Sequence, residues 1–305
     1  MRRHVLRTVL ATSDLEGSSD AALRTASLLA TSRQAALHIF HCVPRPVFPY
    51  WEGAVDEVTR DAWVEDRRMQ LDLQRARVLG DDTAVQLAVG FGKPSLEIGR
   101  VARDISADVI VLGPHEPRRA FDDLLGTTAD RVLRTSDAPS LLANRPILAP
   151  ITRVMVPTDF STCARSALET VVDWFSHVVM SEEAGSPATV TIELLHVYAF
   201  ASALYRPFAA EPLLETELEA ARRRLPADAR VALRSRTLSA SLPVDGIARA
   251  AEEFEPDLIA LGAHGYGFGS RALLGSTASS VARTVRQPVL LVPGRSGTGG
   301  RGSVP

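Results

Sequence analysis

Lysine is almost missing from this chain of 305 residues: Lys93 stands alone, and arginine carries the rest of the positive charge. A Walker-type phosphate loop needs Gly-Lys-Ser/Thr at its end, and Lys93 precedes a proline, so that device is excluded. Cysteine is scarce as well. Cys42 and Cys163 form no Cys-x-x-Cys pair and no disulfide framework, which fits a reducing compartment. No apolar run reaches the roughly 18 residues that a membrane-spanning helix requires. Met1–Ala11 imitates a secretion signal, but Arg7 interrupts the apolar stretch and Asp14 follows too soon, so a first strand is the better assignment. An excess of one charge is also lacking. With 34 basic and 36 acidic residues, nothing draws the chain as a whole toward nucleic acid or an anionic membrane. The expectation is a soluble cytoplasmic protein that binds neither.

What is present is repetition. Gly262-Ala-His-Gly265 follows the apolar run Leu258-Ile-Ala-Leu261 and is followed, nine residues on, by Gly275-Ser276. Gly113-Pro-His-Glu116 follows Val109-Ile-Val-Leu112 and is followed, nine residues on, by Gly126-Thr127. The duplication runs further. Asp14 and Asp159 each follow a β-like run; Ala36–His41 parallels Thr191–His196; Pro94 and Ile98 parallel Pro243 and Ile247. A period near 150 residues suits two domains rather than a solenoid. The boundaries expected are 1–145 and 151–293, joined by the proline-stiffened linker Asn144–Pro150 and followed by a Gly/Ser/Arg-rich disordered tail, 294–305.

Apolar periodicity places strands near 5–12, 35–42, 83–89, 108–112 and 139–143, with helices near 18–32, 54–79, 95–105 and 127–136. The second half repeats this, with strands near 152–157, 189–197, 229–237, 257–261 and 288–292. Its helices lie near 162–179, 211–225, 243–254 and 276–286. Strands alternating with helices imply an α/β fold: in each half, a five-stranded parallel sheet with helices on both faces. Asp14, Asp159 and both glycine loops then gather at the carboxyl ends of strands, where such sheets bind ligands. Proline- and aromatic-bearing segments, Pro44–Gly53 and Ala199–Pro212, are expected as surface excursions near the site mouth. A strand that ends in glycines and opens a helix with Gly-Ser or Gly-Thr cradles phosphate, because main-chain N–H groups approach the anion and the helix end is partially positive.

These residues resemble the universal stress protein family in its tandem two-domain form, over nearly the whole chain. The Gly-x2-Gly-x9-Gly-Ser signature is complete at Gly262, Gly265, Gly275 and Ser276. Val156-Pro-Thr-Asp-Phe-Ser161, Leu194-Leu-His-Val197 and the string from Asp257 to Gly265 support it. The resemblance implies an adenine nucleotide alpha hydrolase-like, Rossmann-like fold. It also implies binding of ATP, with Mg²⁺, or of a related adenine nucleotide. Carried over by position, Pro157, Thr158, Asp159 and Val197 fall at the nucleoside end, and Gly262, Gly265, Gly275, Ser276 and Thr277 at the phosphate end. Arg271, inside the loop, is a weaker candidate for a phosphate contact. Tandem members also imply an intramolecular pseudo-dimer in which a further homodimer is optional.

The first half departs from the signature. Glu116 replaces the second glycine where the loop is expected to need φ > 0, and Cys42 replaces Val197. Asp122 and Asp123 add charge, and two like charges at about 4 Å repel by roughly 4 kcal/mol at an effective dielectric of 20. Unless Arg118 and Arg119 neutralise them, ATP binding is expected to be weak or absent there. No metal-ligand spacing exists, so His41, His115, His196 and His264 are expected to pack structurally. Cys163, near a helix start, reads as an idle thiol rather than a redox sensor. Arg60–Arg77 reads as a solvated helix face, and Arg222–Arg224 as ordinary surface. No catalytic residue can be named. A stress-response regulator binding its nucleotide mainly in the second half is the leading function; the alternatives are a nucleotide-free pseudo-dimeric scaffold and a slow ATP-hydrolysing enzyme.

Overall fold

The computed structural model describes residues 4–44, 57–114, 127–176, 189–199, 207–265 and 274–294. The first half holds β1 (Thr8–Ser13), α1 (Asp20–Arg33), β2 (Ala36–Pro44), α2 (Glu57–Leu79), β3 (Gln86–Gly92), α3 (Pro94–Asp104), β4 (Val109–Leu112), α4 (Thr127–Thr135) and β5 (Ser140–Leu142). The second holds β6 (Arg153–Pro157), α5 (Thr162–Phe175), β7 (Val190–Ala199), α6 (Pro207–Arg222), β8 (Val231–Ala240), α7 (Pro243–Phe254), β9 (Leu258–Gly262), α8 (Ser276–Thr284) and β10 (Val289–Val292).

Within each half every strand pair is parallel, as the alternation of strands and helices requires. The halves do not keep separate sheets. They fuse into one ten-stranded sheet of order β3-β2-β1-β4-β5-β10-β9-β6-β7-β8. The seam is the antiparallel pair β5–β10, where Leu142, Leu141 and Ser140 face Val289, Leu290 and Leu291. All residues of these two short strands are buried, so pairing them removes two edges whose backbone groups would otherwise lack partners. In both halves the strand order reverses between the first and fourth strands, β1/β4 and β6/β9, which makes two switch points.

Two apolar cores cover the faces, and each crosses the seam. One joins α1 and α2 (Leu23, Leu29, Leu71) to α5 and α6 (Val171, Phe175, Leu218). The other joins α3 and α4 (Ile98, Val132) to α7 and α8 (Ile247, Val281). Polar contacts tie the halves further. His4 N donates to Asp173 Oδ2 at 2.7 Å, and the Arg33 guanidinium lies 4.7 Å from the centre of the Phe175 ring. Burial pulls the Arg33 pKa down to about 10. The linker is pinned: the Asn144 side-chain amide reaches the carbonyls of Ala282, Val285 and Gln287 at 3.1, 3.1 and 3.2 Å. Ile147 N donates to Thr25 Oγ1 at 3.1 Å.

Several boundaries differ from expectation: β1 begins at Thr8 rather than 5, β3 at Gln86 rather than 83, and α5 ends at Phe175 rather than 179. β3 and β8 end three residues later than 89 and 237, because both are outer edges with mixed exposure and no continuous apolar run marks their limits. Helix α6 starts at Pro207, so Pro207–Pro212 is helix rather than surface excursion, and Pro212 sits inside it. The expected tail from 295, residues 45–53 and 200–206 of the two excursions, and the loop residues His115–Gly126 and Arg271 lie outside the described residues.

Candidate functional site

The turns after β1 and β6 share three hydrogen bonds and one backbone feature. Leu15 N donates to Ser13 Oγ at 2.9 Å, and Phe160 N to Thr158 Oγ1 at 3.0 Å. Glu16 N donates to Asp14 Oδ1 and Ser161 N to Asp159 Oδ1, both at 2.9 Å. His41 Nδ1 lies 2.9 Å from Ser13 O, and His196 Nδ1 lies 2.9 Å from Thr158 O. Leu15 and Phe160 both take left-handed backbone, φ 66° and 63°. A non-glycine residue pays about 1–2 kcal/mol for that conformation, and the side-chain bonds on either side hold it in place. His41 and His196 are thus strand-end clamps, as expected of packed histidines. Asp159 accepts through Oδ1, whereas Asp14 accepts through both oxygens, Ser18 Oγ donating to its Oδ2 at 2.9 Å.

At the second switch point these elements enclose a cavity of about 320 Å³. All nine residues singled out from the sequence line it: Pro157, Thr158, Asp159 and Val197 with Gly262, Gly265, Gly275, Ser276 and Thr277. Sequence reasoning missed the apolar wall of Ala164, Leu195, Pro243, Ile247, Leu261 and Ala278, and the polar Ser161 and His264. Pro243 and Ile247 carried a signal, since both recur in the first half. The α8 end of the cavity is an anion-ready helix start. Gly275 is the N-cap without a side-chain cap, and the first amides of a helix have no partner within it. By contrast Ser161 caps α5, its Oγ accepting from Ala164 N at 3.2 Å.

The glycines are needed for space. A Cβ at Gly262 would lie 2.6 Å from Cys163 C and 2.7 Å from Ala164 N, so β9 touches the main chain of α5. A Cβ at Gly265 would lie 2.8 Å from Asp159 Oδ2. The expected need for positive φ at this loop position is corrected: among the described glycines only Gly80 and Gly92 have it, and Gly265 is constrained by the approach of the aspartate. Glu116, at the matching position of the first half, lies outside the described residues.

The described part of the first half exchanges bulk between strand and helix. Strand register matches Phe40 with Leu195 and Cys42 with Val197. Gly246 on α7 leaves room for Val197, whose Cγ1 would stand 2.5 Å from an added Cβ. Its counterpart on α3 is Glu97, whose carboxylate lies against Gly90 and Gly92, while the Phe40 ring also presses on Gly90. Burial, and then the Glu97 charge, push the Cys42 thiol up to about 11. Arg222 and Arg223 are surface residues paired with Glu215 and Glu219, but Arg224 departs from the expected ordinary surface, since it turns inward to the buried Asp173.

Among the described residues no group of three His, Cys, Asp or Glu side chains could hold a metal, and no helix is long and apolar enough to cross a membrane. No curated protein matches the chain. Among solved structures, a universal stress protein from Archaeoglobus fulgidus DSM 4304 aligns at 19% identity and TM-score 0.67, covering 96% of this chain and 98% of its own. A putative universal stress protein from Pseudomonas aeruginosa UCBPP-PA14 aligns at 19% identity and TM-score 0.56, covering 95% and 94%. At these identities the likeness is one of fold. The Universal stress protein family model matches residues 6–144 and again 150–293. With the duplicated turn, the mirrored strand order and this double match, the chain belongs to the universal stress protein family.

Proposed function

We propose that the chain is a regulatory protein that binds ATP or a related adenine nucleotide in the cavity of its second half. The observation that carries this is the pairing, in one cavity, of an apolar wall with an uncapped helix start flanked by close-packed glycines. Leu195, Val197, Ile247 and Leu261 suit the faces of a purine. Asp159, held through Oδ1, has Oδ2 left to accept from a hydroxyl or amino group. The amides of Ser276 to Ala278 and the Ser276 and Thr277 hydroxyls suit phosphate oxygens. The volume lies at the low end of the ~300–1,000 Å³ usual for ligand pockets, which fits a nucleoside with its nearest phosphates. Asp159 is the one carboxylate on the described wall, so Mg²⁺ would arrive held by the phosphates and water, with Asp159 as its protein ligand at most.

The first half is proposed to bind nucleotide weakly or not at all, a reading supported by Glu97 standing where the second half has Gly246 and by Phe40 standing where it has Leu195. The antiparallel seam favours an intramolecular pseudo-dimer, with further self-association optional. A ligand regulates such a molecule through differential affinity for two of its arrangements. Mass spectrometry of ligand released from gently denatured protein, paired with thermal unfolding in added nucleotide, tests the reading. Ligand at 100 times its Kd stabilises by about 2.7 kcal/mol. Absence of any adenine compound, together with no shift from ATP, ADP or AMP, would overturn it.

A further inference from the structure

The ten-stranded sheet has two outer edges, and they are dressed differently. β8, at one end of the order, carries Arg234 and Arg236. Arg234 pairs with Glu193 at 2.8 Å and lies 4.4 Å from the centre of the Phe254 ring, and Arg236 pairs with Glu253. Pinned charges on an edge strand resist pairing with another chain, because pairing would strip their water. β3, at the other end, is bare. With Phe40 matched to Leu195, the registers of β2 with β3 and of β7 with β8 set Ala88 in the place of Arg236 and Gln86 in the place of Arg234. Gln86 to Gly92 contains no charge and no proline, and Gln86 and Ala88 are exposed. Among the described residues β3 pairs with β2 alone. The carboxylate that lies over its end, Glu97, is held by Arg100 of α3 at 2.9 Å.

The strand also suits itself as a partner. Alternate residues share a face, so an antiparallel pairing of β3 with its own copy about Val89 sets Leu87 against Phe91 and Val89 against Val89 on one face. Such apolar cross-strand pairs are the unit that stabilises a sheet. On the other face Ala88 meets Gly90, and no side chain obstructs. Leu87 and Val89 are only partly buried against the core, and Trp63, 36% exposed, stacks on Phe91 with ring centres 6.3 Å apart. Incompletely covered apolar surface therefore rims this edge. The chain already closes two apolar edges by antiparallel pairing, at the β5–β10 seam.

We propose that β3 is an interface through which two copies of the chain pair antiparallel, about a twofold axis at Val89, joining their sheets edge to edge. β8 against β8 would set arginines against arginines, and β3 against β8 would build an open filament. β3 against β3 is the closed and charge-free solution. The proposal is independent of what the cavity of the second half binds.

Sedimentation velocity and light scattering on the full chain, without nucleotide and over a wide range of protein concentration, test it. Wild type is expected to dimerise. Ala88→Arg gives the bare edge the charge of its counterpart and brings two like charges about 7–8 Å apart across the pair. At an effective dielectric of 20 that corresponds to a dimer weakened about 10- to 100-fold. Ala232→Arg, at an exposed position of β8, is expected to leave the dimer unchanged. Val89→Cys is expected to oxidise to a covalent dimer, since opposed Cα atoms about 4.5–5.5 Å apart lie within disulfide reach. Ala232→Cys is expected to stay uncrosslinked, and the native Cys42 and Cys163 are buried. A wild-type monomer at every concentration would overturn the proposal. So would a dimer that Ala88→Arg leaves intact, or one that both arginine variants weaken alike. If Ala88→Arg does not fold, the cysteine variants decide: no cross-link through Val89→Cys, or an equal one through Ala232→Cys, overturns it.

Discussion

Substitution of Gly262 and of Gly265 by alanine separates the two duties of the glycine loop. At 262 the new methyl would stand 2.6 and 2.7 Å from main-chain atoms of Cys163 and Ala164. Carbon contacts are comfortable at about 3.5–4.0 Å, so the overlap approaches 1 Å, against backbone that cannot rotate away. Strand β9 and helix α5 must part, and overpacking of this kind costs about 1–3 kcal/mol. For a chain of this size that corresponds to roughly 2–6 °C in Tm. At 265 the methyl meets a single close atom, Asp159 Oδ2 at 2.8 Å, on an exposed side chain. Its displacement loosens the bond from Ser161 N, worth about 1 kcal/mol, so Tm falls by about 2 °C or less. The displaced carboxylate nevertheless lies on the cavity wall, and the loss of one charge-assisted contact weakens ATP about 10- to 100-fold. Thermal unfolding with and without ATP reads both effects. Gly262→Ala is expected to lower the ligand-free Tm by several degrees. Gly265→Ala is expected to remove most of the ATP-dependent rise from a nearly normal baseline. Gly113→Ala is an internal standard, since its methyl would lie at 3.2 Å from Ser19 Cα and cost less than Gly262→Ala. Equal ligand-free losses at 262 and 265, or an intact ATP response at 265, would refute the geometric argument.

Gly246→Glu imports the first half's residue into the second. Its Cβ would stand 2.5 Å from Val197 Cγ1, and the ATP-dependent stabilisation, about 2.7 kcal/mol at 100 Kd, is expected to vanish in the same thermal assay. Asp173→Asn weakens the anchor for His4 N and for Arg224 Nη2, which lies 2.5 Å away. Glu169 at 3.6 Å still faces Arg224, so urea unfolding is expected to show a loss of roughly 2–3 kcal/mol rather than the ~3–5 of a fully orphaned charge. Asp20 has its pKa lowered, chiefly by its hydrogen bond from Arg77, at 2.7 and 2.8 Å. A lowered folded pKa contributes stability above the unfolded value of about 3.9 and loses it as pH falls through the folded value. Arg77→Ala is therefore expected to be less stable than wild type at pH 7, with the difference gone by about pH 2–3.

The strands and helices were legible because buried parallel strands are continuous apolar runs and the helices between them are periodic. Leu258–Leu261 and Val109–Leu112 announce themselves in this way, and the limits of α7, 243–254, follow from Pro243 at its first turn. At 207–212 the same reasoning misled: prolines and aromatics read as a surface excursion up to Pro212, while the helix begins at Pro207 and tolerates a second proline further in. The nine cavity-lining positions came from the resemblance to the universal stress protein family, carried over residue by residue from its glycine, aspartate and strand-end pattern. The apolar wall was not legible, since Leu195 and Ile247 look like any core residue until the fold brings them together. Nor could spacing reveal that a side chain at Gly265 would meet the carboxylate of Asp159, more than a hundred residues earlier. The seam was illegible for a related reason: β5 and β10 read alike as short apolar strands, and nothing local states that they meet.

That meeting has a directional consequence. Because β5 and β10 run against each other while all other neighbours run together, the strands of one half point opposite to those of the other. The loops after β1 and the cavity after β6 consequently open on opposite rims of the sheet, too far round for one bound molecule to bridge them. Helix α8 spans from one to the other: its first residue, Ser276, lines the cavity, and the carbonyl of Ala282 near its last turn accepts from Asn144 at the junction. Under the proposed reading, a ligand held at the cavity end of this nine-residue helix would rest on the same element that meets the first half at its other end.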